Sequence, residues 1–136
     1  MTAVRALVTE AVALRRTLSR RSGLTETELD ALDHLVESPS TPSELARLLD
    51  VSTAASTGVV DRLERRGHVE RRKHPTDRRR LEIHVTDHGR AELLRYLTPM
   101  LHALTELDQR MSPDERATVI RFLTGAQAAF RAVDGR

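Results

Sequence analysis

Apolar residues keep a helical period along most of this chain and abandon it once. Over residues 2–21, Val4, Leu7, Val8, Ala11, Leu14 and Leu18 fall on one stripe, which predicts a first helix ended by Gly23. Such a helix is not stable alone, so its stripe needs a partner. Thr25-Glu26-Thr27-Glu28 is a capping box opening a second helix with Leu29, Leu32, Leu35 and Val36 inward, and Ser38-Pro39-Ser40 breaks it. Thr41-Pro42-Ser43-Glu44 is another box, with proline at the first helical position. It predicts a short third helix carrying Leu45, Ala46, Leu48 and Leu49. After a tight connection at Asp50-Val51, Ser52 caps a fourth helix running to Arg66. Its inward face is Ala55, Val59, Val60 and Leu63, and Gly67 follows its end.

The period then changes from 3.6 to 2. His68–Arg72 and Leu81–Val85 read as two strands around a polar tip, Lys73–Arg80. Thr86 caps a fifth helix in which Leu94, Leu97, Leu101 and Leu104 form a coiled-coil-like seam, with Pro99 expected to kink it. Ser112-Pro113-Asp114-Glu115 opens the last helix, which carries Val119, Ile120, Leu123, Ala126 and Phe130. The predicted fold is mainly α with a small two-stranded β-wing. A short helix, a tight turn, a second helix and a hairpin make a winged helix-turn-helix over residues 25–88, flanked by helical regions at 1–24 and 89–136.

Charge sharpens this picture. The stretch from Arg62 to Arg80 holds nine basic residues against Glu64, Glu70 and Asp77, a net +6 in a chain of net +2. A cationic helix end and hairpin inside an otherwise acidic chain is the footprint of a DNA-binding module. Aromatic residues are only 2%, too few for the stacking platforms of single-strand binding. Lys73 is the only lysine among 22 basic residues, a bias that codon usage explains without any selection for bidentate arginine contacts.

Other classes of function find little support. No Gly-rich phosphate loop, H-E-x-x-H, G-x-S-x-G or cysteine nucleophile is present, so an enzyme is not expected. The lack of cysteine excludes disulfides and thiol-based redox sensing. His84 and His88 are four apart, but a strand end and the Thr86 cap lie between them, and His34, His68, His74 and His102 are scattered. No metal set and no cofactor are therefore expected. No apolar run reaches the length of a membrane span, and a cytoplasmic protein is expected.

The fourth helix opens Ser52-Thr53-Ala54-Ala55-Ser56-Thr57. Small and hydroxyl-bearing residues at that end let a helix backbone approach base edges in the major groove, which makes Ser52, Thr53, Ala54, Ser56 and Thr57 candidate contacts. Arg62 continues roughly the same face, whereas Arg65 and Arg66 also suit helix termination and pairing with Asp61. On the hairpin, Arg71, Arg72, Lys73, Arg78, Arg79 and Arg80 are candidate contacts, with an arginine at the tip suited to a narrow minor groove. Asp77, an acid facing DNA, suits a structural role, accepting from Arg79 or from backbone N–H groups of the turn.

These segments carry a resemblance. LAxLLxVS at Leu45–Ser52, VVDRLERRGHVER at Val59–Arg71 and HPTDRRRLEIHVTDHG at His74–Gly89 are similar to the signature of the MarR family of winged-helix transcriptional regulators. The resemblance implies a homodimer bound to double-stranded DNA at a palindromic operator, usually as a repressor released by a small-molecule effector or an oxidant. It puts the family's D-x-R wing motif on Asp77 and Arg79, with Arg79 in the minor groove. It also places a dimer seam in residues 2–21 and roughly 92–134, with Leu7, Leu14, Leu97, Leu101, Leu104, Ile120 and Leu123 as its apolar contacts. Two positions depart from the family pattern: His68 stands where leucine is usual, and Gly58 occupies a slot often polar or basic.

Overall fold

In the computed structural model, residues 2–77 and 79–133 are described. They build α1 (Thr2–Ser22), α2 (Glu26–Glu37), α3 (Pro42–Leu48), α4 (Thr53–Arg65), β1 (Val69–Lys73), β2 (Leu81–Val85), α5 (Asp87–Gln109) and α6 (Pro113–Val133). This is the mainly α fold with one β-wing that the apolar pattern predicts. β1 begins one residue later than the alternation suggested, at Val69, and α5 continues through Pro99.

The three capping boxes form as the local sequence dictates. Thr25 Oγ1 accepts from the Glu28 N–H at 3.2 Å, while Glu28 Oε2 accepts from the Thr25 N–H at 2.9 Å. Thr41 and Glu44 repeat the exchange at 3.4 and 2.8 Å, and Ser112 and Glu115 at 3.2 and 2.8 Å. Each box satisfies two helix-start N–H groups that have no partner within the helix, and a cap of this kind is worth about 0.5–2 kcal/mol.

The chain divides into two compact units, Met1–Tyr96 and Leu97–Arg136. The core of the first is Leu29, Leu32 and Leu35 of α2, Leu45 of α3, Val60 and Leu63 of α4, and Val69 and Ile83 of the wing. β1 and β2 pair antiparallel, from Val69 opposite Val85 to Lys73 opposite Leu81. The other edge of β2 is held at one point. Ile83 donates its N–H to Ser40 O at 2.8 Å and accepts from the Ser40 N–H at 3.4 Å. An isolated hairpin is marginally stable in water, and this bridge ties the wing base to the α2–α3 connection. Ser38–Ser40 thus does more than end α2.

In the second unit, α6 buries none of its residues, and Leu104, Leu107, Ile120, Phe122, Leu123 and Phe130 are exposed. Arg116 Nε lies 2.8 Å from Asp108 Oδ1 and ties the start of α6 to the end of α5.

The inward face of α4 requires a correction. Its buried residues are Ser56, Val59, Val60 and Leu63, which stand at i, i+3, i+4 and i+7. Ala55, expected inward, is exposed, and Ser56, expected on the DNA face, is fully buried. Hydroxyl chemistry suggested an outer position for Ser56, and helical period puts it inside. Its Oγ meets no hydrogen-bond partner among the described residues.

The junction from α4 to the wing and from the wing to α5 closes at one place. Arg66 caps α4, and Gly67 follows with φ +73°, in the left-handed region. Thr86 then caps α5, its Oγ1 accepting from the Gly89 N–H at 3.0 Å and donating to Gly67 O at 2.6 Å. The Thr86 N–H donates to His68 O at 3.0 Å. A Cβ added to Gly89 would lie 2.2 Å from that same carbonyl oxygen.

Two substitutions test this packing. At an ordinary helical position Gly→Ala gains about 1 kcal/mol, but overpacking against backbone costs about 1–3 kcal/mol. Gly89→Ala is therefore expected to lower the urea midpoint, and an unchanged or higher midpoint would refute the contact. Ser56→Ala removes a buried hydroxyl without a partner and places the best helix former in α4, so it is expected to hold or raise the midpoint. A loss above about 1 kcal/mol would show that the hydroxyl is hydrogen-bonded.

Candidate nucleic-acid interface

The turn between α3 and α4 is built on Asp50, at φ +52°, a conformation that aspartate tolerates better than most residues. The Asp50 N–H donates to Arg47 O at 3.2 Å and the Val51 N–H to Ala46 O at 3.1 Å, so the chain leaves α3 and enters α4 within four residues. At the exposed start of α4 stand Ser52, Thr53, Ala54, Ala55 and Thr57. Ser52 Oγ accepts from the Ala55 N–H at 3.1 Å, and Thr57 Oγ1 donates to Thr53 O at 2.9 Å. Both hydroxyls keep further hydrogen-bonding capacity for a groove. Ser56 is absent from this surface. Nothing in the packing demands glycine at Gly58, where a Cβ would make only an ordinary contact with Arg62 Nη1 at 3.5 Å.

The basic segment is less uniform than its charge suggests. Arg62 Nε donates to Glu28 Oε1 at 2.6 Å, and the Glu28 side chain is only 4% exposed. Burial works to raise the Glu28 carboxyl, but the hydrogen bonds from Arg62 and from the Thr25 N–H outweigh it and hold the group below the usual carboxylate range. Removing Arg62 from this pair would strand a buried charge, so its first task is to join α4 to α2. Arg66 donates to Gly23 O and to Ser22 O, each at 2.8 Å, and Arg65 to Asp61 O at 3.3 Å. The pairing of Asp61 with Arg65 is therefore to the backbone, because the Asp61 carboxylate serves another residue.

That residue is Arg71. Its Nη2 donates to Asp61 Oδ1 at 2.5 Å and its Nη1 to Glu64. The Asp61 hydrogen bond, against an opposing effect of burial and with help from the Glu64 charge, raises the Arg71 pKa further. Arg71, a candidate DNA contact, clamps β1 to α4. Arg72 pairs with Glu70, and Arg80 Nη2 lies 3.4 Å from Glu44 Oε1. These two pairs are largely exposed, and exposed pairs are worth about 0–1 kcal/mol, so a phosphate can replace either acid. The head groups of Lys73 and Arg79 make no hydrogen bond or ion pair with another described residue. Arg78 lies outside the described residues.

Arg79 stands on a braced turn. Asp77 Oδ1 accepts from the Arg79 N–H at 3.1 Å, and Asp77 O accepts from the Arg80 N–H at 2.9 Å. Asp77 therefore holds Arg79 through its backbone and not its guanidinium. His74 completes the brace. Its Nδ1 lies 3.2 Å from the Thr76 and Asp77 nitrogens, accepting from both N–H groups, and its Nε2 lies 3.3 Å from Glu82 Oε1. Sequence reasoning passed over His74. The available signal was an acceptor side chain two and three residues ahead of the turn N–H groups, the arrangement by which aspartate and asparagine shape turns.

Residues 22–80 match the sequence model described as MarR family. The chain is 31% identical over 120 residues to YcgE of Bacillus subtilis, an HTH-type transcriptional regulator, covering 88% of this chain and 78% of that protein. It is 33% identical to YetL, an HTH-type transcriptional repressor of the same organism, over 69% of this chain, and the match spans only 54% of YetL. The solved structure of apo MarR from Escherichia coli superposes with a TM-score of 0.62 at 26% identity, covering 92% of this chain and 94% of that one.

Proposed function

The chain belongs to the MarR family of transcriptional regulators, and from that premise we propose that it binds double-stranded DNA sequence-specifically, as a homodimer on a palindromic operator, and acts as a repressor. The observation that carries the reading is the wing tip. There Asp77 and His74 fix the backbone of a turn whose Arg79 guanidinium is exposed and engages no described residue. A cation held at the end of a hairpin, beside a helix with a small hydroxyl-bearing N-terminus, matches a duplex with the helix in the major groove and the arginine in the adjacent minor groove. Thr53, Ala54 and Thr57 are the proposed groove-facing residues of α4, with Ser52 at its cap. Lys73, Arg72 and Arg80 are proposed phosphate contacts, and Arg62 and Arg71 support the surface from behind.

Homodimerisation is supported by the apolar residues left on the outside. Leu7 on α1, Leu101 and Leu104 on α5, and Ile120 and Leu123 on α6 are exposed, with Leu14 and Leu97 half-buried. So much exposed apolar surface on terminal helices marks an association surface. Two copies related by a two-fold axis would meet half-sites about 34–36 Å apart. The repressor sense is supported by YetL, which is itself a repressor.

With DNA as the target, the cytoplasm is the proposed compartment, and no helix among the described residues is long and apolar enough to cross a membrane. A small-molecule effector is a further proposed partner. The first unit offers it two open, polar clefts, one of ≈ 460 Å³ beside Gly23, Glu28, Arg62 and Arg66 and one of ≈ 490 Å³ beside Ser40, Glu44, Arg47 and Leu48, but little enclosed apolar space. The cavity beside Leu18, Leu24, Leu29 and Tyr96 measures ≈ 10 Å³, about the room of one water molecule.

Arg79→Ala is expected to weaken binding to an operator selected in vitro by about 1–3 kcal/mol while light scattering still reports a dimer. Equal affinity in fluorescence anisotropy would overturn the wing assignment. Leu101→Asp places a charge in the proposed seam and is expected to yield a folded monomer at micromolar concentration. A dimer of unchanged mass would overturn the seam.

A further inference from the structure

The junction that launches β1 and α5 gathers three ligand-type side chains that DNA binding leaves without a task. His68, just before β1, is buried at 2% exposure. His88 and Glu92 lie one turn apart on α5, with side chains 64% and 24% exposed. Glu92 Oε2 is 2.9 Å from His68 Nε2 and 3.5 Å from His88 Nε2. One ligand atom from each residue falls within 4.8 Å of the other two. We propose that His68, His88 and Glu92 form a binding site for a zinc-type divalent cation.

The donor set fits that ion. Two imidazoles and one carboxylate are a three-ligand set that zinc accepts, with a fourth position left for water. Bonds of about 2.0–2.1 Å at tetrahedral angles place ligand atoms about 3.3 Å apart. The 2.9 and 3.5 Å separations from Glu92 bracket that value, and the ligand atoms of His68 and His88 lie within 4.8 Å of each other, a gap that rotation of the exposed His88 would close. His88 and Glu92 share a helix face by their i,i+4 spacing. The third ligand is delivered by backbone closure. The His68 carbonyl accepts from the Thr86 N–H, and α5 approaches it so closely that residue 89 has no room for a Cβ.

As a plain hydrogen-bond network the cluster is unsatisfying. His68 directs Nε2 at Glu92 and leaves Nδ1 buried with no partner among the described residues. With no acceptor beside Nδ1, the neutral ring gains nothing from carrying its proton there, and the contact of Nε2 with Glu92 is the only polar contact the ring makes among the described residues. In a chain with 22 basic residues, Glu92 pairs with no arginine among those described and faces only imidazoles. When the cation takes the Nε2 lone pair of His68, a neutral ring carries its one proton on Nδ1, and a protonated ring releases its Nε2 proton to solvent and keeps the one on Nδ1. His84, the residue whose spacing to His88 resembled a ligand pair, faces Glu82 at 3.1 Å instead and supplies a natural control.

A cation here would cross-link the start of the wing to the first two turns of α5. Its consequence for operator binding rests on the DNA-binding reading above, whereas the site itself does not, and its test needs no DNA. The full chain, stripped with chelator, is titrated with Zn²⁺ against a chromophoric zinc indicator, and its thermal midpoint is measured with and without Zn²⁺. One equivalent per chain should compete with the indicator and raise the midpoint, since a ligand of the native state stabilises it. Outer partners of a metal ligand are already worth about 10–100-fold in affinity, so His88→Ala and Glu92→Gln should each weaken binding at least about tenfold. His84→Ala should leave it unchanged. Because His88 is exposed, its variant keeps the fold, as circular dichroism would verify. A wild-type chain that neither competes nor shifts, a His88→Ala chain that binds as tightly as wild type, or an equal loss from His84→Ala would each overturn the site.

Discussion

The carbonyl of His68 is the point on which the architecture of the first unit turns. It accepts from the Thr86 N–H, so the residue that follows the end of α4 is bonded to the residue that precedes α5. The whole wing lies between them and must leave and return within one hydrogen bond of the same place. Gly67 provides the left-handed exit, and Gly89 provides the absence of a side chain that lets the first turn of α5 lie against the carbonyl. The orientation of α4, the register of the hairpin and the start of α5 therefore share one closure, with little freedom to vary separately.

Against that closure the basic segment separates into structural and available charge. Three acids from outside the segment, Glu28, Glu44 and Asp61, reach into it and engage Arg62, Arg80 and Arg71. Arg62 and Arg71 are tied to acids of α2 and α4, Arg80 shares an exposed pair, and Lys73 and Arg79 have no acid among the described residues. A buried carboxylate such as Glu28 requires a permanent partner, whereas an exposed pair such as Arg72 with Glu70 exchanges its acid for a phosphate at little cost.

What the sequence made legible follows the same line between local and distant causes. The boxes at Thr25–Glu28, Thr41–Glu44 and Ser112–Glu115 could be read because both partners lie within four residues, and the change of period at β1 could be read because alternation is a property of neighbours. Ser56 was misplaced because its hydroxyl was weighed above its phase relative to Val59, Val60 and Leu63. The partners of Arg62 and Arg71 were out of reach for a different reason. Glu28 stands 34 residues before Arg62, and nothing in the spacing of charges signals that pairing. Asp61 was assigned to Arg65 by helical spacing, and the hairpin brought Arg71 closer. His68 was visible only as a departure from a pattern, and its proximity to His88 and Glu92 depends on closure of the wing.

The bridge from Ser40 to Ile83 gives the hairpin two regions of different order. Its root is held on both edges of β2, by Arg71 of β1 and by Ser40, and Ile83 is fully buried. The backbone entropy of those residues is surrendered when the chain folds. The tip, beyond Lys73 and Leu81, is held among the described residues by its own turn bonds and by the exposed pair of Arg80 with Glu44. The root of the wing is thus anchored by the core, whereas its tip is shaped by bonds of its own turn, so the two can be altered separately.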